Sequence, residues 1–385
     1  MKKIKTFLYK IIFFAVMITG AVSCSNDIFY RISVELPLIE PRIKGSPTNF
    51  VIFKGDMYVA TGKNLYVYNE TEKWTRKSFS ENIAQLAVIN DTRIYALCYI
   101  DGDSSVTRKV MWSDAVKIAA NEWEEIPGFE SAENYTIIHK IYSANNKLYI
   151  GAQFDYKKNN KENDFNKYAV HVLYYDDSEN IHKFDASVFP SEEHAMLYGA
   201  VFDGTVTYIC VFTGIYADGV KIESEVNNFI GIIKLGNSIA AINREGTLYR
   251  VETTGIESIV SLPNDRWASG AITLWQEDIT DNKSNKLLLV GRQDREYTTT
   301  TGYTYGYMEL ELDSAGSVIG TEFKEPGIGD ITTVGKNESY VSSLGIIPIN
   351  HIIQAPNGIL YASTQQSGVW SYKLRDKEYT WNSEE

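Results

Sequence analysis

Cysteine is scarce: Cys24, Cys98 and Cys210 are the only three in 385 residues. Cys98 and Cys210 sit in apolar strand-like runs, YALCYI and TYICVF, with no Cys or His neighbour at metal-ligand spacing, so both read as buried thiols. Histidine is equally thin. His139, His171, His182, His194 and His351 fall in different stretches and none is spaced as H-x-x-x-H or H-E-x-x-H, which leaves a metal site unsupported. The serine elbow G-x-S-x-G and a phosphate-cradling glycine loop are both missing, so neither chemistry is expected. Basic charge is in deficit: the formal net charge is −12 and no basic patch offsets it, which disfavours nucleic acid as a partner. Long apolar runs are missing too. The run Ile11 to Val22 is about twelve residues, too short to cross roughly 30 Å of hydrocarbon comfortably.

What the chain has is strand material. With 26 Tyr and 16 Phe, it alternates apolar and polar residues over short runs punctuated by Gly, Asn and Asp, while helical apolar periodicity is sparse. The expectation is an all-β chain.

The runs recur as units. Residues 49–79, NFVIFKGDMYVATGKNLYVYNETEKWTRKSF, hold an apolar strand, a Gly-Asp turn, a Tyr58 strand, a Gly-Lys-Asn turn, a Tyr66/Tyr68 strand and a strand with Trp74. Residues 350–382 repeat that order, with turns at Asn357-Gly358, Gln366 to Gly368 and Asp376-Lys377. Looser copies occupy 83–129, 136–189, 195–225, 228–262 and 267–326, which makes seven. Four short strands every 40 to 50 residues or so describe a β-propeller blade, which cannot cover both faces alone and needs neighbours on each side. The expected fold is therefore a β-propeller with seven blades of four antiparallel strands. Six or eight blades are the alternatives, because 327–347 is either a loop or two further strands; a β-sandwich pair or a β-solenoid is the competing architecture. The phrase Lys147-Leu148-Tyr149-Ile150-Gly151 resembles bacterial propellers of the quinoprotein-like or kelch-like kind, a resemblance that implies fold and no function.

The N-terminus is of another kind. Lys2, Lys3, Lys5 and Lys10 precede the apolar run, and Gly20, Ala21, Val22 and Ser23 lead to Cys24, the order of an export signal. This segment resembles the lipobox of bacterial lipoproteins, with Ala21 where leucine is commoner. The resemblance implies a diacylglyceryl group on the Cys24 thiol, cleavage just before it and acylation of the new amino group, two or three chains that anchor stably where one would not. Loss of residues 1–23 leaves 33 basic against 49 acidic side chains, a net −16. The expected organisation is a lipoprotein signal peptide over 1–23, a lipidated Cys24 with a short tether and a possible ring-closing strand over 24–45, and one propeller over 46–385. IFYRISVELPLI is the segment expected to pair with the last blade.

Other constellations are weaker. Tyr30-Arg31-Ile32-Ser33 resembles the arginine motif of sialidases, but Ser33 replaces the expected proline and the Ser-x-Asp-x-Gly-x-x-Trp boxes are missing, so sialidase activity is not expected. Acidic pairs such as Glu124-Glu125 and Asp176-Asp177 read as solvated strand ends and turns, and Asp101-Gly102-Asp103 lacks the later ligands of a calcium loop. The most distinctive patch, residues 292–312, places Arg292, Arg295, Tyr297, Tyr303, Tyr305 and Tyr307 around a Thr-rich turn. Such tyrosines suit contact with a protein or glycan, although alternation also puts Tyr303, Tyr305 and Tyr307 on one face, where packing on the adjacent blade accounts for them.

The functional expectation is an exported lipoprotein, held to the cell envelope by lipid and delivered to the outer rather than the inner membrane, whose propeller binds a protein or envelope component. No catalytic residue, metal or cofactor is assigned. The alternatives are a polysaccharide hydrolase or lyase with carboxylates at the central channel, and an envelope assembly factor.

Overall fold

The computed structural model describes residues 43–69, 73–101, 106–126, 135–154, 167–185, 192–263, 266–276, 279–280, 285–294, 306–324, 344, 348–375 and 378–384. IFYRISVELPLI and Cys24 lie outside these residues, as does nearly all of 327–347.

The alternating runs form antiparallel strands because each has one face to bury, and their turns are built from residues that tolerate positive φ. Lys54-Gly55 (φ 55° and 86°), Asn145-Asn146 (45° and 61°) and Asp218-Gly219 (45° and 85°) each place two successive residues there, the twist that matches a tight hairpin to right-handed strands. Seven sheets result, each of strands consecutive in sequence. Blade 1 comprises Val51–Phe53, Asp56–Thr61, Asn64–Asn69 and Lys73–Ser78. Blades 2, 3, 4 and 5 open with Asn82–Ile89, Tyr135–Ala144, Leu197–Phe202 and Phe229–Leu235, and each runs outward through three more strands, with the short Glu192–Glu193 also pairing with the third strand of blade 3. Blade 6 has Arg266–Trp275, Lys286–Asp294 and Tyr307–Leu312. Its fourth segment attaches by the antiparallel bridges Leu312↔Val318 and Glu309↔Lys324. Blade 7 comprises Ile349–Gln354, Leu360–Thr364, Val369–Arg375 and Glu378–Ser383.

The sheets stack face to face, and each interface has its own buried cluster. Phe53, Leu65, Ile83 and Ile94 join blades 1 and 2; Tyr95, Ile141 and Leu148 join 2 and 3; Tyr149, Leu197 and Ile209 join 3 and 4. Ile215, Phe229 and Ile239 join 4 and 5. Ile242, Leu288 and Leu310 join 5 and 6, and Leu289, Tyr307 and Leu360 join 6 and 7. The seventh cluster returns to the start, packing Ile43, Met57 and Trp74 against Tyr361 and Val369. Seven interfaces for seven sheets close a ring, which leaves no blade face without a neighbour. The fold is a seven-bladed β-propeller.

Closure uses side chains at both ends of the ring. Trp74 Nε1 donates to Glu384 Oε2 at 2.9 Å, and Ser371 Oγ donates to Glu384 Oε1. On the inner side Gly368 N–H donates to Gly45 O at 3.0 Å and Gln366 N–H to Ser46 Oγ at 3.0 Å.

Candidate functional site

The first strand of every blade lines the central channel, and near its start every one breaks its ladder. Register shifts fall between Ile83 and Gln85, Leu197 and Gly199, Phe229 and Gly231, Ala268 and Ile272, and Ile349 and His351. In blade 3 the shift leaves His139 unpaired between Ile138 and Lys140. In blade 1 the register Val51↔Tyr58 would set Ala60 opposite Asn49, yet Thr48 N–H donates to Ala60 O at 2.8 Å, so Asn49 is the extra residue there. A bulge re-aims the side chains beside it. Here seven bulges turn one short stretch of each blade towards the same axis.

Several of these side chains tie neighbouring blades together. Asn49 holds Leu86 at both backbone groups, donating to its O at 2.8 Å and accepting from its N at 2.9 Å. Gln85 Oε1 accepts from Ile141 N at 3.1 Å, His139 Nε2 from Leu197 N at 3.0 Å, and His351 Nδ1 from Phe50 N at 3.3 Å. Ser269 Oγ donates to Ile349 O at 3.4 Å. Blades 4 and 5 carry glycine where the others carry a linker. A Cβ on Gly199 would lie 2.6 Å from Ile232 Cγ2, so there the strands touch directly.

The accepting ring nitrogens require neutral histidines, and burial enforces it. The imidazole of His351 is pushed down to about 4 by burial. That of His139 goes to about 3, by burial first and then by the charges of Lys140 and Arg108. The His139 ring also fills the space that a side chain at position 151 would take: a Cβ on Gly151 would sit 2.6 Å from His139 Cε1.

Inside the ring of bulges is a cavity of about 580 Å³. Its lining includes Thr48, Asn49, Gln85, Tyr99, Tyr142, Tyr198, Ser269, Asn350 and His351, together with Lys140, and no Asp or Glu among the described residues. Lys140 is the one charged group among the described lining residues. The side chain reaches the solvent of the channel, while the protein packed around that channel first, and the Arg108 guanidinium second, hold its amine below the usual lysine range. Arg108 is fixed nearby, donating from Nη1 to Ile138 O at 2.8 Å. Tyr142 and Tyr198 have their phenols raised, chiefly by burial.

The residues singled out by sequence are distributed differently. Arg292 (3 % exposed) and Tyr307 (2 % exposed) are enclosed within the propeller rather than displayed on it. Tyr307 packs on the next blade, its ring centroid 6.0 Å from that of Trp381, and its hydroxyl accepts from Trp381 Nε1 at 3.3 Å. Arg295, Tyr297, Tyr303 and Tyr305 lie outside the described residues, as do Gly102 and Asp103. Cys98 and Cys210 are free and buried, each thiol pushed up by burial. No group of three His, Cys, Asp or Glu able to hold a metal occurs among the described residues. The cavity residues themselves escaped sequence reasoning. Their signal is a glycine or polar residue interrupting each unit's first apolar strand, as in IAQLA, IHKIY, LYGAV, FIGII and INHII.

No family model matches the chain, and no curated protein matches it. Solved structures do. A structure described as the extracellular domain of a hybrid two-component system from B. thetaiotaomicron is 12 % identical with a TM-score of 0.51 over 86 % of this chain and 39 % of that one. A streptogramin B lyase is 9 % identical, with a TM-score of 0.48 over 87 % of this chain and 94 % of that one. The WD40 propeller domain of Doa1 is 6 % identical, with a TM-score of 0.47 over 88 % and 95 %. At these identities the likeness is one of fold.

Proposed function

We propose that this protein is an exported lipoprotein, held to the outer membrane of a bacterial envelope by lipid on Cys24, whose propeller is a rigid platform for a protein or other envelope component. The observation that carries the binding part is the use made of the channel side chains. Asn49, Gln85, His139, Ser269 and His351 are committed to hydrogen bonds between blades, which favours a stiff frame presenting fixed surfaces. The cavity wall supports binding over glycoside cleavage, because such cleavage takes two carboxylates about 5 to 10 Å apart and the described lining presents none. The anchor rests on the lysine-rich start, the short apolar run and Cys24.

Affinity capture of the tagged full chain from detergent-solubilised envelopes, with protease treatment of intact cells, tests both parts. One recurrent envelope partner, and membrane retention lost in Cys24→Ala, are expected. Repeated capture of nothing would sink the platform, and unchanged retention of Cys24→Ala would sink the anchor.

A further inference from the structure

Seven bulges place seven equivalent positions around the channel, and their occupants differ in kind. The residue following the bulge is Phe50, Gln85, Lys140, Gly199, Gly231, Ile272 or His351 in blades 1 to 7. Six are uncharged and one is a cation. In a chain of net charge −12, a solvated lysine has many carboxylates within reach. Lys140 takes none: among the described residues it has no ion pair and no hydrogen bond, and the charge that bears on it is that of another cation, Arg108. A lysine that opens on the cavity with only another cation bearing on it has its positive charge unmatched, and an arriving anion supplies the match.

The polar ends left unspent in this cavity are few. Gln85 is engaged with Ile141, Asn49 with Leu86, and Asn350 donates to Pro47 O at 3.3 Å. The amine of Lys140 and the phenols of Tyr99 and Tyr198 have no hydrogen-bond partner among the described residues, and all three residues line the same space. The volume of about 580 Å³ falls within the range, about 300 to 1,000 Å³, of cavities that enclose a small organic molecule.

We propose that the central cavity is a binding site for a small hydroxylated monocarboxylate, with the carboxylate on Lys140 and hydroxyls on Tyr99 and Tyr198. One lining cation balances one negative charge, whereas a phosphate dianion would face the acidic body with half its charge unmatched. The tyrosine faces suit the apolar side of a sugar-like ring. This site is independent of the anchor and of any partner on the outer surface.

The test uses the full chain in detergent, glucuronate as the probe and glucose as its uncharged counterpart, with binding read by saturation-transfer NMR and calorimetry. Glucuronate is expected to bind at least tenfold more tightly than glucose. Lys140→Met should remove that preference, and Lys140→Arg should keep most of it, with melting temperatures verifying that both variants are folded. Equal binding of the two sugars, glucuronate binding undiminished in Lys140→Met, or no glucuronate binding at all would each overturn the proposal.

Discussion

Trp74 and Glu384 stand 310 residues apart in sequence and 2.9 Å apart in space, the indole Nε1–H donating to a carboxylate oxygen that is itself buried. Glu384 also accepts from Ser371, so one side chain at the end of the chain clasps the first blade to the last.

Removing that clasp leaves a buried indole N–H without its acceptor. Glu384→Ala is expected to lower unfolding stability by about 1.5–3 kcal/mol, the usual range for hydrogen bonds to a charged group. A urea midpoint equal to that of the wild type would show that the ring closes on apolar packing alone.

Asn49 bonds both backbone groups of Leu86, which no smaller side chain can do. Asn49→Ala should cost about 1–3 kcal/mol, because two backbone groups lose their partners. Asn49→Asp keeps the acceptor and loses the donor, and should fall between the two in the same denaturation series.

The neutral histidines make the fold acid-sensitive. His351 is at about 4 in the folded protein against 6.5 when unperturbed. The folded state thus resists a proton that the unfolded state accepts, and stability falls as pH drops from above 6.5 towards 4, then levels off. On the order of 3 kcal/mol should be lost over that window through this residue. His351→Asn should flatten the pH dependence of the urea midpoint; an unchanged slope would mean that the loss arises elsewhere.

Two glycines at positive φ should respond differently to a methyl group. Gly55 (φ +86°) has nothing within 4 Å of its Cβ position, whereas at Gly236 (φ +58°) a Cβ would lie 1.7 Å from Ala315 O. Gly55→Ala should cost only the left-handed backbone, about 1–2 kcal/mol. Gly236→Ala should cost more, because the turn carrying Ala315 must move as well. Comparable melting temperatures for the two variants would contradict this reading of the contact.

Thiol counting separates the anchor from the body. Cys98 and Cys210 are buried, so neither should react with an aromatic disulfide reagent in the native state, and both should react in urea. A third reactive thiol in the protein purified from membranes would show Cys24 to be unmodified.

The arrangement of the blades was legible because each is local. Turns such as Asn145-Asn146 and strands such as Lys147–Phe154 depend on residues close in sequence, so seven units could be read by eye, including the weakly bridged sixth. Tyr307 shows where such reading stops. Its place in an alternating run says that it has a face, and only the neighbouring blade's Trp381 says which surface that face meets.

The amino-acid sequence by itself determined the all-β character, the seven-fold repetition and the excess of acid, since these follow from short-range alternation, turn chemistry and composition. The tertiary structure alone decided that Asn49, Gln85, His139 and His351 serve as ties between blades, that Trp74 meets Glu384, and that Lys140 faces a cavity whose described lining holds no carboxylate. The physical reason is ring closure. A bulge that looks like an irregularity in one strand acquires its meaning only when seven of them converge on one axis, and that convergence is a property of no single segment.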